Sequence, residues 1–333
     1  MPNSPGHGKR AGGAGILAAV WLVLAIAAWV YARMRSLPAW AAVPVAAAFL
    51  IEIPFYLSPG SAAVREWLAG LGKVRAASIL TAAALLPWLV CSIATAEARV
   101  DAVVLLLLVA VVVSFWYILL PVGPATDLLF LAAAAGIYLS KVFDRIYLSP
   151  FHGLSITVLG HLMLIRTAAL AVLTLRGDAK AEYRFLPKRD EWITGIRYFA
   201  MMFPLIAAVY WALGLVSMRK LPANAGLLVL SIIGTFLGML WVLALSEEFF
   251  FRGLLQQWIE RWTGKPWLAL ILASVIFGCA HLGFAHRFPN WRWVILATIL
   301  GIFCGLAWRK SRSVQAAMVT HALLVTVWRV FLR

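Results

Sequence analysis

Two adjacent carboxylates, Glu247 and Glu248, stand at the end of an apolar run that extends from Leu227 to Leu245, and Phe249, Phe250, Phe251 and Arg252 follow them. A solvated helix face does not look like this. On a helix Glu248 and Arg252 are i,i+4 neighbours with the acid N-terminal, the better orientation for an ion pair. Glu247 points about 100° away, because successive helical residues rotate by that angle. The expectation is that Arg252 neutralises Glu248 and leaves Glu247 unpaired. Two further costly groups lie downstream. His281 closes the run Phe277-Gly278-Cys279-Ala280-His281, which places the Phe277 ring beside it on one face, and His321 sits inside Val319-Thr320-His321-Ala322-Leu323.

A carboxylate and an imidazole facing each other across a water can hydrolyse a bond, since burial disfavours the charged form of both kinds of group. Glu247 would take the proton of a water that His281 orients, and His321 would donate to the oxyanion of the tetrahedral intermediate. The same three residues, Glu247, His281 and His321, form an alternative zinc set, because two imidazoles and one carboxylate can hold that ion. The zinc-protease signature HExxH is absent, which removes the strongest support for the metal. The residues alone leave both versions open.

At these residues the sequence resembles a known family. The run SEEFFFRG looks like the EExxxR motif of the CPBP family, the membrane-embedded CAAX proteases and bacteriocin-processing enzymes. FGCAH resembles its FxxxH motif, His321 matches the histidine that opens its third motif, and the three occur in the family's order within roughly 195–333. The resemblance implies an intramembrane endopeptidase acting on a membrane-tethered protein or peptide, of CAAX type or with a C-terminal tail to be trimmed. Glu247 and His281 would activate water, Glu248 and Arg252 would support them, and His321 would stabilise the oxyanion; the metal-free version, with no cofactor, is the reading preferred over the zinc one. One position departs from the pattern. Four residues after the third-motif histidine the family usually carries Asn or Asp, and here Val325 stands. Trp328, seven residues after His321 on nearly the same face, carries an indole N–H that could replace the missing donor, whereas Thr326 is turned off that face. The alternative is a catalytically impaired member serving as a membrane scaffold, immunity factor or transporter.

The elements that must position these residues follow from composition. Hydrophobic residues make up 64% of the 333 and charged residues 13%, against about 45–50% and about 25% in soluble domains. Apolar blocks long enough to cross a hydrocarbon core of about 30 Å recur from end to end, and in lipid such blocks must be helical. The fold class is thus all-α, a polytopic membrane protein with ten or eleven spans, near 14–32, 39–58, 76–95, 101–121, 125–140, 153–175, 195–217, 224–246, 267–282, 291–308 and 312–331. The short fifth block could be re-entrant. The organisation expected is an unstructured stretch at 1–13, a six-span block over 14–175, a polar linker at 176–194, and the protease-like block over 195–333.

Within the six-span block, Glu52, His161 and Arg166 read as packing groups or an inter-helix pair, with Glu52 near enough to a span end to reach interfacial water. Trp258, Trp262 and Trp267 read as an interfacial aromatic belt around a polar loop after Arg252. His286 reads as a loop residue, and Phe249, Phe250 and Phe251 as packing or lipid-facing. Cys91, Cys279 and Cys304 each lie in an apolar run without paired spacing, which excludes a disulfide framework and leaves small packing residues. The net charge of +16 does not imply nucleic acid, because no basic stripe with interleaved aromatics occurs. Its bias towards loops on the N-terminal side favours a cytoplasmic N-terminus in the cytoplasmic membrane and contacts with anionic lipid.

Overall fold

The computed structural model describes residues 7–178 and 181–332, without the side chains of 7–18 and 286. Residues 1–6 of the expected unstructured stretch, Lys180 of the linker and the His286 side chain therefore lie outside the described residues. The first helix, α1 (His7–Met34), already includes His7 to Gly13. Thereafter come α2 (Ala39–Leu57), α3 (Ala62–Gly70), α4 (Lys73–Ala94), α5 (Val100–Leu119), α6 (Pro124–Leu139), α7 (Val142–Ile146) and α8 (Thr157–Arg176). The rest of the chain forms α9 (Arg189–Ala212), α10 (Ala225–Thr263), α11 (Pro266–Cys279), α12 (Trp291–Ser311) and α13 (Val314–Phe331). Among the described residues there is no strand, only a bridge between Met218 and Leu332.

Eight of these helices are long and apolar enough to cross a membrane, and the apolar segments Ala19–Met34, Pro124–Leu139 and Pro266–Cys279 are shorter. The protein is an all-α multi-pass membrane protein. Its residues fall into two compact units. One comprises the described residues through Pro121 with Ala132–Gly177, the other Val122–Leu131 with Asp178 onward.

In the first unit, Arg166 on α8 and Glu52 on α2 form a fully buried pair. Arg166 Nε donates to Glu52 Oε1 at 2.5 Å and its Nη2 to Oε2 at 3.1 Å and to the Ala83 carbonyl at 2.7 Å. Glu52 has no exposed surface, so it does not reach interfacial water. The inter-helix pair is what satisfies it. Breaking such a pair leaves a naked buried charge, so Arg166→Ala should destabilise by about 3–5 kcal/mol, while replacing both partners by Leu and Met should cost far less. Thermal unfolding in detergent micelles distinguishes the two. His161, in contrast, bonds within its own helix, Nδ1 to the Thr157 carbonyl, and packs against Tyr138 and Phe143.

The second unit is built on small residues. A methyl group on Gly278 of α11 would strike Thr298 Oγ1 and come within 2.8 Å of the Val294 carbonyl of α12, and one on Gly301 would meet Ser274. Gly195 of α9 lies as tightly under Ala316 and Val319 of α13. Small residues let helix backbones approach closely where lipid supplies no hydrophobic drive. Thr320 Oγ1 donates to the Gly195 carbonyl at 3.0 Å, fixing α13 one residue before His321.

The polar stretch before α9 is bound to this unit. Asp178 is buried and accepts from Trp258 Nε1 at 2.6 Å and from Arg261 Nη2 at 2.6 Å. Arg184 pairs with Glu191 at 2.5 Å. Trp258 is thus a buried anchor rather than part of an interfacial belt, because no loop follows Arg252: α10 continues to Thr263. Trp267 is exposed as a belt residue would be, and the partly buried Trp262 packs against Leu255, Ile259, Ala269 and Ala273.

Candidate active site

Glu247 and Glu248 lie where α10 departs from regular winding. Met239–Ala244 and Phe249–Gln256 are π-helical, and the α-helical turn Leu245–Glu248 sits between them. π-Segments inside α-helices are uncommon and cluster at functional sites. The two carboxylates diverge as their adjacency dictates. Glu248 points into the protein and has no exposed surface, while the Glu247 side chain retains 23% exposure.

Glu248 is fully engaged. Its Oε2 accepts from Arg252 Nε at 3.0 Å, and its Oε1 lies 2.7 Å from His321 Nδ1. The first contact was legible in the i,i+4 spacing; the second spans 73 residues of sequence and was not. A carboxylate paired with arginine is ionised, so His321 Nδ1 carries the proton and donates it. The other ring nitrogen, Nε2, then faces Glu247 Oε2 at 3.9 Å. The Arg252 guanidinium sits 5.3 Å from the centroid of the Phe277 ring.

Phe277 supports both histidines. Its ring centroid is 5.0 Å from that of His281 and 5.8 Å, edge-on, from that of His321. Its carbonyl lies 2.9 Å from His281 Nδ1. A carbonyl only accepts, so Nδ1 holds the proton in a neutral ring and the Nε2 lone pair is free. The Glu247 Oε2 is buried with no hydrogen-bond partner, as are Nη1 and Nη2 of Arg252.

Glu247, His281 and His321 line one cavity of ≈ 420 Å³ whose remaining wall is largely apolar, supplied by α9, α12 and α13. Val325 and Trp328 line it too. Val325 therefore presents methyl groups where the family's third motif usually places a donor. Trp328 packs against Phe284 and Trp293, with its Nε1 beside Tyr210 and making no well-formed hydrogen bond. Thr326 spends its hydroxyl on the Ala322 carbonyl at 2.6 Å, away from the cavity. Phe249 is buried against Tyr183, and Phe251 packs edge-on to Phe277.

Residues 227–327 match the family model described as Rce1-like, type II CAAX prenyl endopeptidase. The chain carries a segment similar to that family. The matched span begins inside α10, takes in Glu247, Glu248, Arg252, His281 and His321, and ends one residue before Trp328. No curated protein and no solved structure matches the chain.

A bound metal is one question this geometry addresses. Among the described residues, one group of potential ligands converges to within 4.8 Å: Glu248, Cys304 and His321, all buried. Glu247, His281 and His321 do not form such a group. At the convergent one Arg252 holds Glu248 from the other side, so a divalent cation would sit beside a fixed positive charge. That group therefore fits a metal poorly. Cys304, whose Sγ lies 3.6 Å from the Ala317 carbonyl, carried no signal in the sequence beyond being a small residue in an apolar run. The cysteines are all free.

Proposed function

We propose that the Rce1-like segment is a metal-independent intramembrane endopeptidase in which Glu247 is the general base. The observation that carries this reading is the Glu247 carboxylate, whose buried Oε2 accepts no hydrogen bond, in a cavity shared with His281 and His321. A water between Glu247 and His281 Nε2 gives one proton to the carboxylate as its oxygen attacks the scissile carbonyl carbon. The oxyanion that forms accepts from His321 Nε2–H, with Glu248 neutralising the imidazolium. When the intermediate collapses, the C–N bond breaks and the proton held by Glu247 passes to the leaving amine. Glu248 and Arg252 position His321 and do not touch substrate. The substrate is a membrane-tethered protein or peptide that reaches the cavity from the bilayer, and the N-terminus of the enzyme lies on the cytoplasmic side.

Membranes from cells making the natural protein and from cells making Glu247→Gln test the assignment, by mass spectrometry of protein C-termini. Ends that are trimmed only with the natural protein support it. Identical ends in both would leave a non-catalytic scaffold or transporter, the reading Val325 favours.

Trp328 is the second donor in this scheme, taking the place of the side chain that Val325 lacks. Removing one oxyanion donor typically costs about 10²–10³ in rate. Trp328→Phe keeps the packing against Phe284 and Trp293 and should lower kcat by that factor with little change in KM. A rate within twofold of the natural protein would assign the whole oxyanion function to His321.

A further inference from the structure

Between α9 and α12 lies a second, open cavity of ≈ 260 Å³ that shares no lining residue with the one holding Glu247. Ile193, Thr194, Arg197, Tyr198 and Met201 of α9 line it, together with Lys310 at the end of α12. Thr194, Arg197, Tyr198 and Met201 follow the i, i+3, i+4, i+7 spacing of a single helix face. Arg197 and Lys310 are both exposed, and among the described residues no carboxylate is recorded against either. Carboxylates are scarce around them. No Asp or Glu occurs between Glu191 and Glu247 or after Glu260. Glu191 is held by Arg184 and the Lys188 amide, and Glu260 by Arg312. The neighbouring Arg309 has a different partner, with its guanidinium 4.0 Å from the centroid of the Trp267 ring.

We infer that this cavity binds the phosphate of an anionic phospholipid headgroup, with Arg197 and Lys310 as its two cations. The inference does not depend on the chemistry at Glu247. Arg197 follows Arg189, the first residue of α9, by eight positions in a helix long and apolar enough to cross a membrane. That is about 12 Å along the axis. A cation in a span is costly without a counter-charge. Its long stem lets the guanidinium reach back to headgroup level, where a lipid phosphate supplies that charge from the bilayer itself. Guanidinium offers phosphate a planar fork of donors, and the Lys310 ammonium adds a point charge. The hydroxyls of Thr194 and Tyr198 line the same cavity and are of the right type to donate to phosphate oxygens.

The apolar residues extend the match. Ile193 and Met201 are each more than half exposed beside the cations, so an acyl chain can lie along α9 while its headgroup is held. Basic pockets between transmembrane helices are places where anionic headgroups bind. A lipid seated here bridges α9 and α12, two helices that also wall the cavity of Glu247.

The test uses the full-length protein in detergent micelles. Dioleoyl phosphatidylglycerol and dioleoyl phosphatidylcholine are added in equal amounts, and the lipids that stay bound are identified by native mass spectrometry. One phosphatidylglycerol should be retained about 30-fold more tightly than phosphatidylcholine, since each basic residue near an anionic headgroup is worth about fivefold. Arg197→Gln with Lys310→Gln should erase the preference, and Arg197→Lys should keep most of it. Lys310→Gln alone, at an exposed helix end, should lower the preference about fivefold, a reading that holds even where Arg197 variants fold poorly. Lys73→Gln with Arg75→Gln removes the same charge from the exposed start of α4 and should leave the preference intact.

Equal retention of the two lipids, a preference that survives Arg197→Gln with Lys310→Gln, or a preference lost equally in the α4 variant would overturn the proposal. Excess inorganic phosphate should not displace the lipid. Displacement with phosphate itself retained would make this a free-anion site and overturn the assignment to a lipid.

Discussion

Glu247→Gln is expected to fold as the natural protein does and to lose at least about 10²-fold, up to about 10⁴-fold, in cleavage rate, the contribution usual for a positioned general base. The fold should survive because Glu247 Oε2 has no hydrogen bond to lose and the side chain is partly open to the cavity. The amide keeps shape and volume and removes only the ability to take a proton. The measurement is single-turnover cleavage of a membrane-tethered peptide, alongside thermal unfolding of the same preparation. Unchanged cleavage would sink Glu247 as the base. A large fall in unfolding temperature would mean that the carboxylate has a structural partner the geometry does not show.

Arg252→Ala should do the opposite and cost the fold first. Arg252 and Glu248 are both without exposed surface, and removing the cation strands an ionised carboxylate in the interior, worth about 3–5 kcal/mol of destabilisation. Activity falls with it, since Glu248 also holds His321 at 2.7 Å. The informative companion is the double replacement Glu248→Gln with Arg252→Met. It removes both charges and should recover most of the stability, as paired replacement of buried ions commonly does. It should not recover cleavage, because an amide at 248 no longer neutralises an imidazolium at 321. Recovery of full activity in the double variant would reduce the pair to packing and detach it from the chemistry.

The contrast between these two carboxylates shows how far local sequence reaches. Their divergence by about 100° follows from helical geometry alone, as does the Glu248–Arg252 pair, because both lie within one turn. The same kind of reasoning misjudged Trp258 and the end of its helix. Three tryptophans after Arg252 suggest a polar loop at an interface, but α10 runs to Thr263 and Trp258 donates to Asp178 across 80 residues. A one-dimensional pattern reports which residues share a helix face. It carries no information about which distant segment that face meets.

By itself the sequence determined that this is a multi-pass helical membrane protein, because lipid admits no other structure for apolar runs of such length. It also determined the identity of the costly groups, Glu247, Glu248, Arg252, His281 and His321, since burial in membrane makes each stand out against its neighbours. Only the tertiary structure decided which of them pair. The close crossings at Gly278 and Gly195 bring α11 to α12 and α9 to α13. Packing within the second unit gives Glu248 a second partner in His321, leaves Glu247 Oε2 without a hydrogen bond, and sets Glu247, His281 and His321 on a single cavity. Helix periodicity is a property of one segment, whereas pairing depends on which faces close packing brings within hydrogen-bond range.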